Sequence, residues 1–226
     1  MSFCTAVLLA AGSGTRFDKE KTKQKHILLG KSVLRRSAEA LASSALVDTL
    51  VVVVREDEQT FAREELSFLS KPYEIVCGAD TRQGSAKIGF LHIPSSTTEV
   101  LIHDAARCLI TPAAVDEVVL AVRKFGAASA VCTVNDTVKR LDENGRICAT
   151  VDRSRLCLAS TPQGFSAPLY RRALEASVSV TDDNMLLEAM GVCIEPVYVS
   201  ENPKITTAED MLYAEFLLRK RGEKDA

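Results

Sequence analysis

Residues 50–54, a leucine followed by four valines, constrain this chain more than any other stretch. Consecutive β-branched side chains lose χ1 freedom in a helix and pack well on a pleated surface. A run with no polar alternation belongs to a strand covered on both faces, as in a parallel sheet between two helical layers. Strand-like runs recur at 3–9, 74–76, 100–103, 128–133, 156–160 and 194–199. Helix-like segments separate and follow them at 32–43, 56–69, 82–92, 112–125, 168–177, 184–190 and 208–221. This alternation predicts an α/β fold, with a mainly parallel twisted sheet and helices on both faces. Thr111 and Pro112 mark one helix start, with Val115, Val118, Val119 and Val122 as its buried stripe. Thr207 and Asp210 suit a shortened capping box at the last helix.

The first strand runs into AVLLAAGSG at 6–14, with Arg16 and Lys23 behind it. A strand ending in a glycine turn can present backbone N–H groups to an anion. The two cations add the full positive charge that a backbone cradle lacks. Nucleotide polyphosphate chemistry follows from that combination. Two commoner glycine loops are excluded. A dinucleotide fingerprint needs glycine at 17, where Phe17 stands, and a Walker loop closing on Gly30, Lys31 and Ser32 needs it at Lys25.

At 226 residues and 46% hydrophobic content, the chain is long enough for one large α/β domain. A net charge of −2 and a pI near 6.0 leave no global basic field for nucleic acid, so anion recognition must be local. Seven cysteines without a C-x-x-C pair, and histidines at 26, 92 and 103, make no zinc pattern. Reduced, mostly buried thiols in a cytoplasmic protein are expected. Segment 3–11 is apolar but lacks the cationic leader of a signal peptide, and no run approaches the ~20 residues of a membrane span.

One segment breaks the alternation. Residues 137–141 and 146–151 flank Asp142, Glu143, Asn144 and Gly145, a hairpin pattern with an Asn-Gly turn. A two-stranded ribbon is marginal alone, so it is expected to pack on a partner subunit or as a lid on its own.

Taken in order, AAGSGTR at 10–16, Lys23 and Gln24, IHDAAR at 102–107, DTVK at 136–139, and VDR at 151–153 form a recognisable set. Thr161-Pro162-Gln163, Thr181-Asp182 and Lys204-Ile205-Thr206 complete it. The set resembles the 2-C-methyl-D-erythritol 4-phosphate cytidylyltransferase family in a register spanning about residues 5–217. The resemblance implies a single Rossmann-like nucleotidyltransferase domain over 1–226, with a projecting β-arm at about 136–155 that forms a homodimer. It implies Mg²⁺-dependent attack of methylerythritol phosphate on the α-phosphorus of CTP. The products would be 4-diphosphocytidyl-2-C-methyl-D-erythritol and pyrophosphate. Such a reaction asks the protein to align two polyanions and stabilise added negative charge, with no nucleophile of its own.

By the family's pattern, Arg16, Lys23, Arg153 and Lys204 carry the catalytic charge. Ala10, Ala11, Gly12, Gly14, Ala79, Asp80 and Ser85 form the nucleotide site, where small residues let backbone groups reach the base edge. Asp104 lies beside ribose, phosphates and the metal, at a carboxyl strand end where open α/β sheets place ligands. Asp104, Arg107, Thr137, Arg153, Thr161 and Lys204 bind the sugar phosphate, part of the set coming from the other subunit. Without the resemblance, Lys23 is a solvated charge in a lysine-rich loop, and Arg153 beside Asp152 is a surface ion pair of little worth.

The chain also departs from the family. Thr22-Lys23-Gln24-Lys25 replaces the usual Pro-Lys-Gln-Tyr, which predicts a looser loop without its aromatic anchor. Ala79 replaces a frequent glycine, Cys108 a usual proline, and Asp183-Asn184-Met185 an acidic-alanine sequence. Two alternatives follow: a cytidylyltransferase for ribitol 5-phosphate, and a nucleotide-binding homologue without turnover. The DTVKR and VDR segments favour methylerythritol phosphate over ribitol phosphate.

Overall fold

The computed structural model describes residues 2–12, 22–176 and 180–224. In chain order its strands are β1 (Cys4–Leu9), β2 (Ile27–Leu28), β3 (Lys31–Ser32), β4 (Thr49–Val54), β5 (Tyr73–Cys77) and β6 (Glu99–Asp104). They continue with β7 (Ala127–Thr133), β8 (Lys139–Leu141), β9 (Ile147–Thr150), β10 (Cys157–Ser166) and β11 (Glu195–Tyr198). The α-helices are α1 (Val33–Ala42), α2 (Gln59–Leu66), α3 (Arg82–Leu91), α4 (Pro112–Phe125), α5 (Ala167–Ala173), α6 (Asn184–Glu188) and α7 (Ala208–Lys220).

Seven strands form one sheet in the order β11-β7-β10-β6-β1-β4-β5. Neighbours pair in parallel except around β10, which runs antiparallel to both β6 and β7. Alternation along each strand feeds two cores. Ala6, Leu8, Leu50, Val52, Val54 and Leu101 pack with Leu34, Leu41, Leu66, Val115 and Val118 of α1, α2 and α4. On the other face, Val7, Leu9, Val51, Val53 and Ile102 pack with Phe90, Tyr170, Leu186 and Leu187 of α3, α5 and α6. Each such buried aliphatic side chain contributes about 1.5–3 kcal/mol, which is why the 50–54 run tolerates no polar residue. A third cluster seats Ala214, Leu217 and Leu218 of α7 against Leu28, Val33, Leu109 and Ile205.

Helix ends follow the chemistry of their residues. The Thr111 hydroxyl accepts from Ala114 N–H, Pro112 opens α4, and Gly126 closes it at φ 84°. Thr207 and Asp210 make the reciprocal capping box of α7. The segment read as one helix from 56 begins instead with a 3₁₀ turn, Glu56–Glu58, before α2.

Three expectations need correction. First, the strand placed at 156–160 continues to Ser166, through Pro162 and Gly164, which in isolation read as breakers. The ladder with β7 shifts register between Ala159 and Gln163, the interval that contains Pro162. Second, the hairpin formed by β8 and β9 is present, but its turn is not the two-residue type that an Asn-Gly pair suggests. Gly145 takes φ 77° while Asn144 stays at negative φ, and the Asp142 carboxylate accepts from the N–H groups of Asn144 and Arg146, both at 2.9 Å. Third, the cysteines are free but not mostly buried: Cys77, Cys148, Cys157 and Cys193 are exposed. Cys4 and Cys108 are buried, and burial pushes the Cys108 thiol up to about 12.

The arm leaves Leu141 and Ile147 exposed, with Leu158 on the strand that follows. No helix among the described residues is long and apolar enough to cross a membrane.

Helix α3 approaches the sheet more closely than a side chain permits. A Cβ at Gly89 would lie 2.3 Å from Val7 Cγ1 and 2.9 Å from Val53 Cγ2. Gly89→Ala is therefore expected to lower the unfolding free energy by about 1–3 kcal/mol, read from urea denaturation. An unchanged midpoint would contradict the packing described.

Candidate active site

The parallel strands β1, β4, β5 and β6 end on the same edge of the sheet, and each hands its next residues to one cleft of about 640 Å³. Ala11 and Gly12 follow β1, Arg55, Glu56 and Asp57 follow β4, and Gly78 to Arg82 follow β5. Asp104 ends β6, and Lys23 and Lys204 enter from separate loops. This is where an open α/β sheet accepts ligands, because strand ends expose backbone polar groups that no neighbour pairs.

The wall after β5 is built from backbone. A Cβ at Gly78 would meet Ala11 Cβ at 2.5 Å and Ser85 Oγ at 2.9 Å. The buried Ser85 hydroxyl accepts from Ala79 N–H at 3.0 Å and donates to Ala79 O at 3.1 Å. Ser85 thus fixes the shape of the 78–80 turn from beneath. Asp80 is exposed on the same turn.

From the cleft a chain of charges runs from surface to core. Asp104 Oδ2 accepts from Lys204 Nζ at 2.7 Å and Oδ1 from Arg82 Nε at 3.1 Å. Arg82 Nη1 donates to Asp183 Oδ2 at 2.7 Å, and the Tyr170 hydroxyl donates to the other oxygen of Asp183. Burial alone would raise the Asp104 carboxyl, but Arg82 and Lys204 outweigh it and hold the group well below the usual carboxylate range. Burial would likewise lower Arg82, yet Asp104 and Asp183 leave it raised. For Tyr170, burial and then the Asp183 charge push the phenol well up. Behind Asp104, its N–H donates to Thr161 Oγ1 at 3.1 Å, and that oxygen lies 3.0 Å from His103 Nδ1.

The loop bearing Lys204 is docked from both sides. Ile205 N–H donates to Ala106 O at 2.8 Å. Arg107 donates to Asn202 O at 3.1 Å and to Ala159 O at 3.3 Å, and Asn202 Nδ2 donates to Thr161 O at 2.9 Å.

Of the residues singled out from sequence, Ala11, Gly12, Lys23, Ala79, Asp80, Ser85, Asp104 and Lys204 line this cleft together. Ala10 packs in the core beneath it. Thr161 is 4% exposed and supports Asp104, while Arg107 braces the Lys204 loop. Thr137 and Arg153 sit exposed at the arm, outside the cleft lining, where an Arg153 nitrogen donates to Asn135 O. Gly14 and Arg16 lie outside the described residues.

Arg82 and Asp183 escaped the sequence reading. A signal existed for Arg82: a cation in the first turn of a helix opposes the dipole and calls for an anion nearby. Its Nη2 is buried without a hydrogen-bond partner among the described residues, a donor that a bound oxygen would satisfy. Among the described residues no three His, Cys, Asp or Glu side chains converge on a metal-sized site. A single carboxylate can hold Mg²⁺ when phosphate oxygens and water supply its other ligands, and Asp104 is one of four acidic residues lining the cleft, with Glu56, Asp57 and Asp80.

Comparison with known proteins places these features in a family. The model of the 2-C-methyl-D-erythritol 4-phosphate cytidylyltransferase family matches residues 4–220. A protein of that name from Desulforamulus reducens is 36% identical over 230 residues, covering 98% of each chain. One from a Synechococcus species is 38% identical over 220 residues, covering 94% of each. The solved 4-diphosphocytidyl-2C-methyl-D-erythritol synthase of Anaerococcus prevotii superposes with a TM-score of 0.87 at 27% identity, covering 96% of each chain.

The buried His103 generates a pH prediction. Burial lowers its imidazole from 6.5 to about 4, so the fold excludes a proton that the unfolded chain takes up between those values. Stability present above pH 6.5 is therefore lost as pH falls toward 4, by up to ~3 kcal/mol. In urea unfolding at pH 7, 5.5 and 4.5, His103→Asn should flatten this slope. Equal slopes in both proteins would contradict the assignment.

Proposed function

The chain belongs to the 2-C-methyl-D-erythritol 4-phosphate cytidylyltransferase family, and we propose that its cleft joins methylerythritol phosphate to CTP. A phosphate oxygen of the sugar phosphate attacks the α-phosphorus, and pyrophosphate leaves. The observation that supports this most is the convergence of Lys23 and Lys204 on one cleft beside a wall of backbone. Two like charges brought to ~4 Å repel by about 4 kcal/mol at an effective dielectric near 20. Fixed cations between the reactants offset that cost and favour the more highly charged transition state.

In this assignment Lys23, with Arg16, faces the triphosphate, and Ala11, Gly12, Ala79, Asp80 and Ser85 shape the cytosine side. Lys204 orients the sugar phosphate, with Arg107 bracing its loop and Thr161 fixing the backbone of Asp104. Thr137 and Arg153 complete that half from the partner's arm, whose exposed Leu141 and Ile147 suit burial in a homodimer. Asp104 is the residue that would hold Mg²⁺, which when bound neutralises phosphate charge. Both Asp104 oxygens already accept from cations, so taking the ion means releasing Lys204 or Arg82. The free cysteines suit a cytoplasmic setting.

Pyrophosphate release tests the proposal across CTP, UTP and ATP, each with methylerythritol phosphate or ribitol 5-phosphate. CTP with methylerythritol phosphate should exceed every other pair at least tenfold in kcat/KM. A tenfold preference for ribitol phosphate would overturn the substrate, and CTP binding without turnover would overturn the enzyme. Lys23→Ala should lower kcat by about 10²–10³ with the fold intact. Near-wild-type turnover would retire its role.

A further inference from the structure

A buried carboxylate from a distant element contacts the turn that carries Lys23 at two of its residues. Lys23–Lys25 forms a single 3₁₀ turn, closed by Lys25 N–H to Thr22 O at 3.0 Å and His26 N–H to Lys23 O at 3.2 Å. A turn this short has little stability of its own. Thr22 and Lys25, which flank Lys23 and Gln24, reach the same oxygen of Glu58. The Thr22 hydroxyl donates to Glu58 Oε1, and Lys25 Nζ lies 3.6 Å from it. Lys25 also stands 5.4 Å over the Phe61 ring of α2.

Glu58 is 2% exposed and sits in the 3₁₀ turn after β4, whose residues Glu56 and Asp57 line the nucleotide cleft. A carboxylate buried to that degree is tolerated only with partners. The ordinary use for an acid here is to cap α2, but among the described residues Glu58 caps no N–H of that helix. Its partners are the two residues that bracket Lys23.

We propose that Glu58 is a positioning residue for Lys23, a latch that holds the 22–25 turn against the cleft wall. Thr22 and Lys25 are its two contacts, a hydroxyl donor on one side of Lys23 and an ammonium on the other. What Lys23 does once positioned rests on the cytidylyltransferase assignment; the latch itself does not. Thr22 has φ −66° and ψ 146°, so its backbone already suits proline.

Two readouts on the full chain test this. Hydrogen exchange at the amides of residues 25 and 26 reports the turn directly. Glu58→Gln keeps the shape of the side chain and removes its charge, and should speed exchange there about tenfold. Steady-state kinetics then separates positioning from chemistry. With the turn loosened, the competent fraction of free enzyme falls and KM for CTP rises about three- to tenfold, while kcat at saturating CTP stays within twofold. Lys25→Met, at a half-buried position, should act in the same direction should Glu58→Gln fail to fold. Thr22→Pro with Lys25→Tyr should make Glu58→Gln neutral, returning KM to within twofold of wild type.

Unchanged exchange at residues 25 and 26 in either folded variant would overturn the latch. So would a KM for CTP that stays constant, or a loss confined to kcat. A wild-type chain that failed to turn over CTP would remove the functional assignment instead, leaving the exchange measurement to decide the latch.

Discussion

Parallel pairing of β4, β1 and β6 decides where this protein can do chemistry. Those strands are buried on both faces, so helices must return each chain segment to the same end of the sheet. Every outgoing strand therefore delivers its next loop to one edge. Residues as far apart in sequence as Gly12, Arg55, Gly78 and Asp104 meet there with no further design. Apolar burial, the least specific of forces, thus creates a polar and highly specific edge. The antiparallel β10 then brings Thr161 against the end of β6, where its hydroxyl takes the N–H of Asp104.

On that edge the charges are arranged in series. Tyr170, Asp183, Arg82, Asp104 and Lys204 form a line in which each ionised group but the last has a partner on either side. A line of this type stiffens the Asp104 carboxylate at the cleft and keeps it ionised throughout the neutral range. It also ends in a lysine at the cleft, the member most easily exchanged for another cation. The Lys23 turn reaches the same cleft and depends on Glu58 for its anchorage. Both cations are thus presented outside the sheet, and each segment meets a carboxylate, Asp104 at the end of β6 or Glu58 in the 3₁₀ turn after β4.

Much of the fold was legible because its signals are local. Helix α4 begins and ends where Thr111, Pro112 and Gly126 dictate, and the capping box of α7 is visible in two residues. The 50–54 run identified two-sided burial by itself. What stayed hidden depends on distant neighbours. Pro162 and Gly164 look like strand breakers until β6 and β7 flank them. Arg82 looks like a surface residue because its partners stand 22 and 101 residues away. The replacements at 22 and 25 looked like losses of order, since Glu58, 36 residues from Thr22, gave no sign of receiving both. Cleft residues contributed by strand ends were legible through motif order. Support residues behind them were not, since any polar residue in the right place would serve.

We propose that CTP sets its triphosphate against Lys23 and its base against the 78–80 turn, leaving the Lys204 side of the cleft to the sugar phosphate. A crystal structure of the full chain with CTP and Mg²⁺ tests it most directly. Phosphate oxygens should lie within hydrogen-bond distance of Lys23, with one Asp104 oxygen released from its cation toward the ligand. Nucleotide bound elsewhere on the protein, or bound in the cleft without touching Lys23, would contradict it.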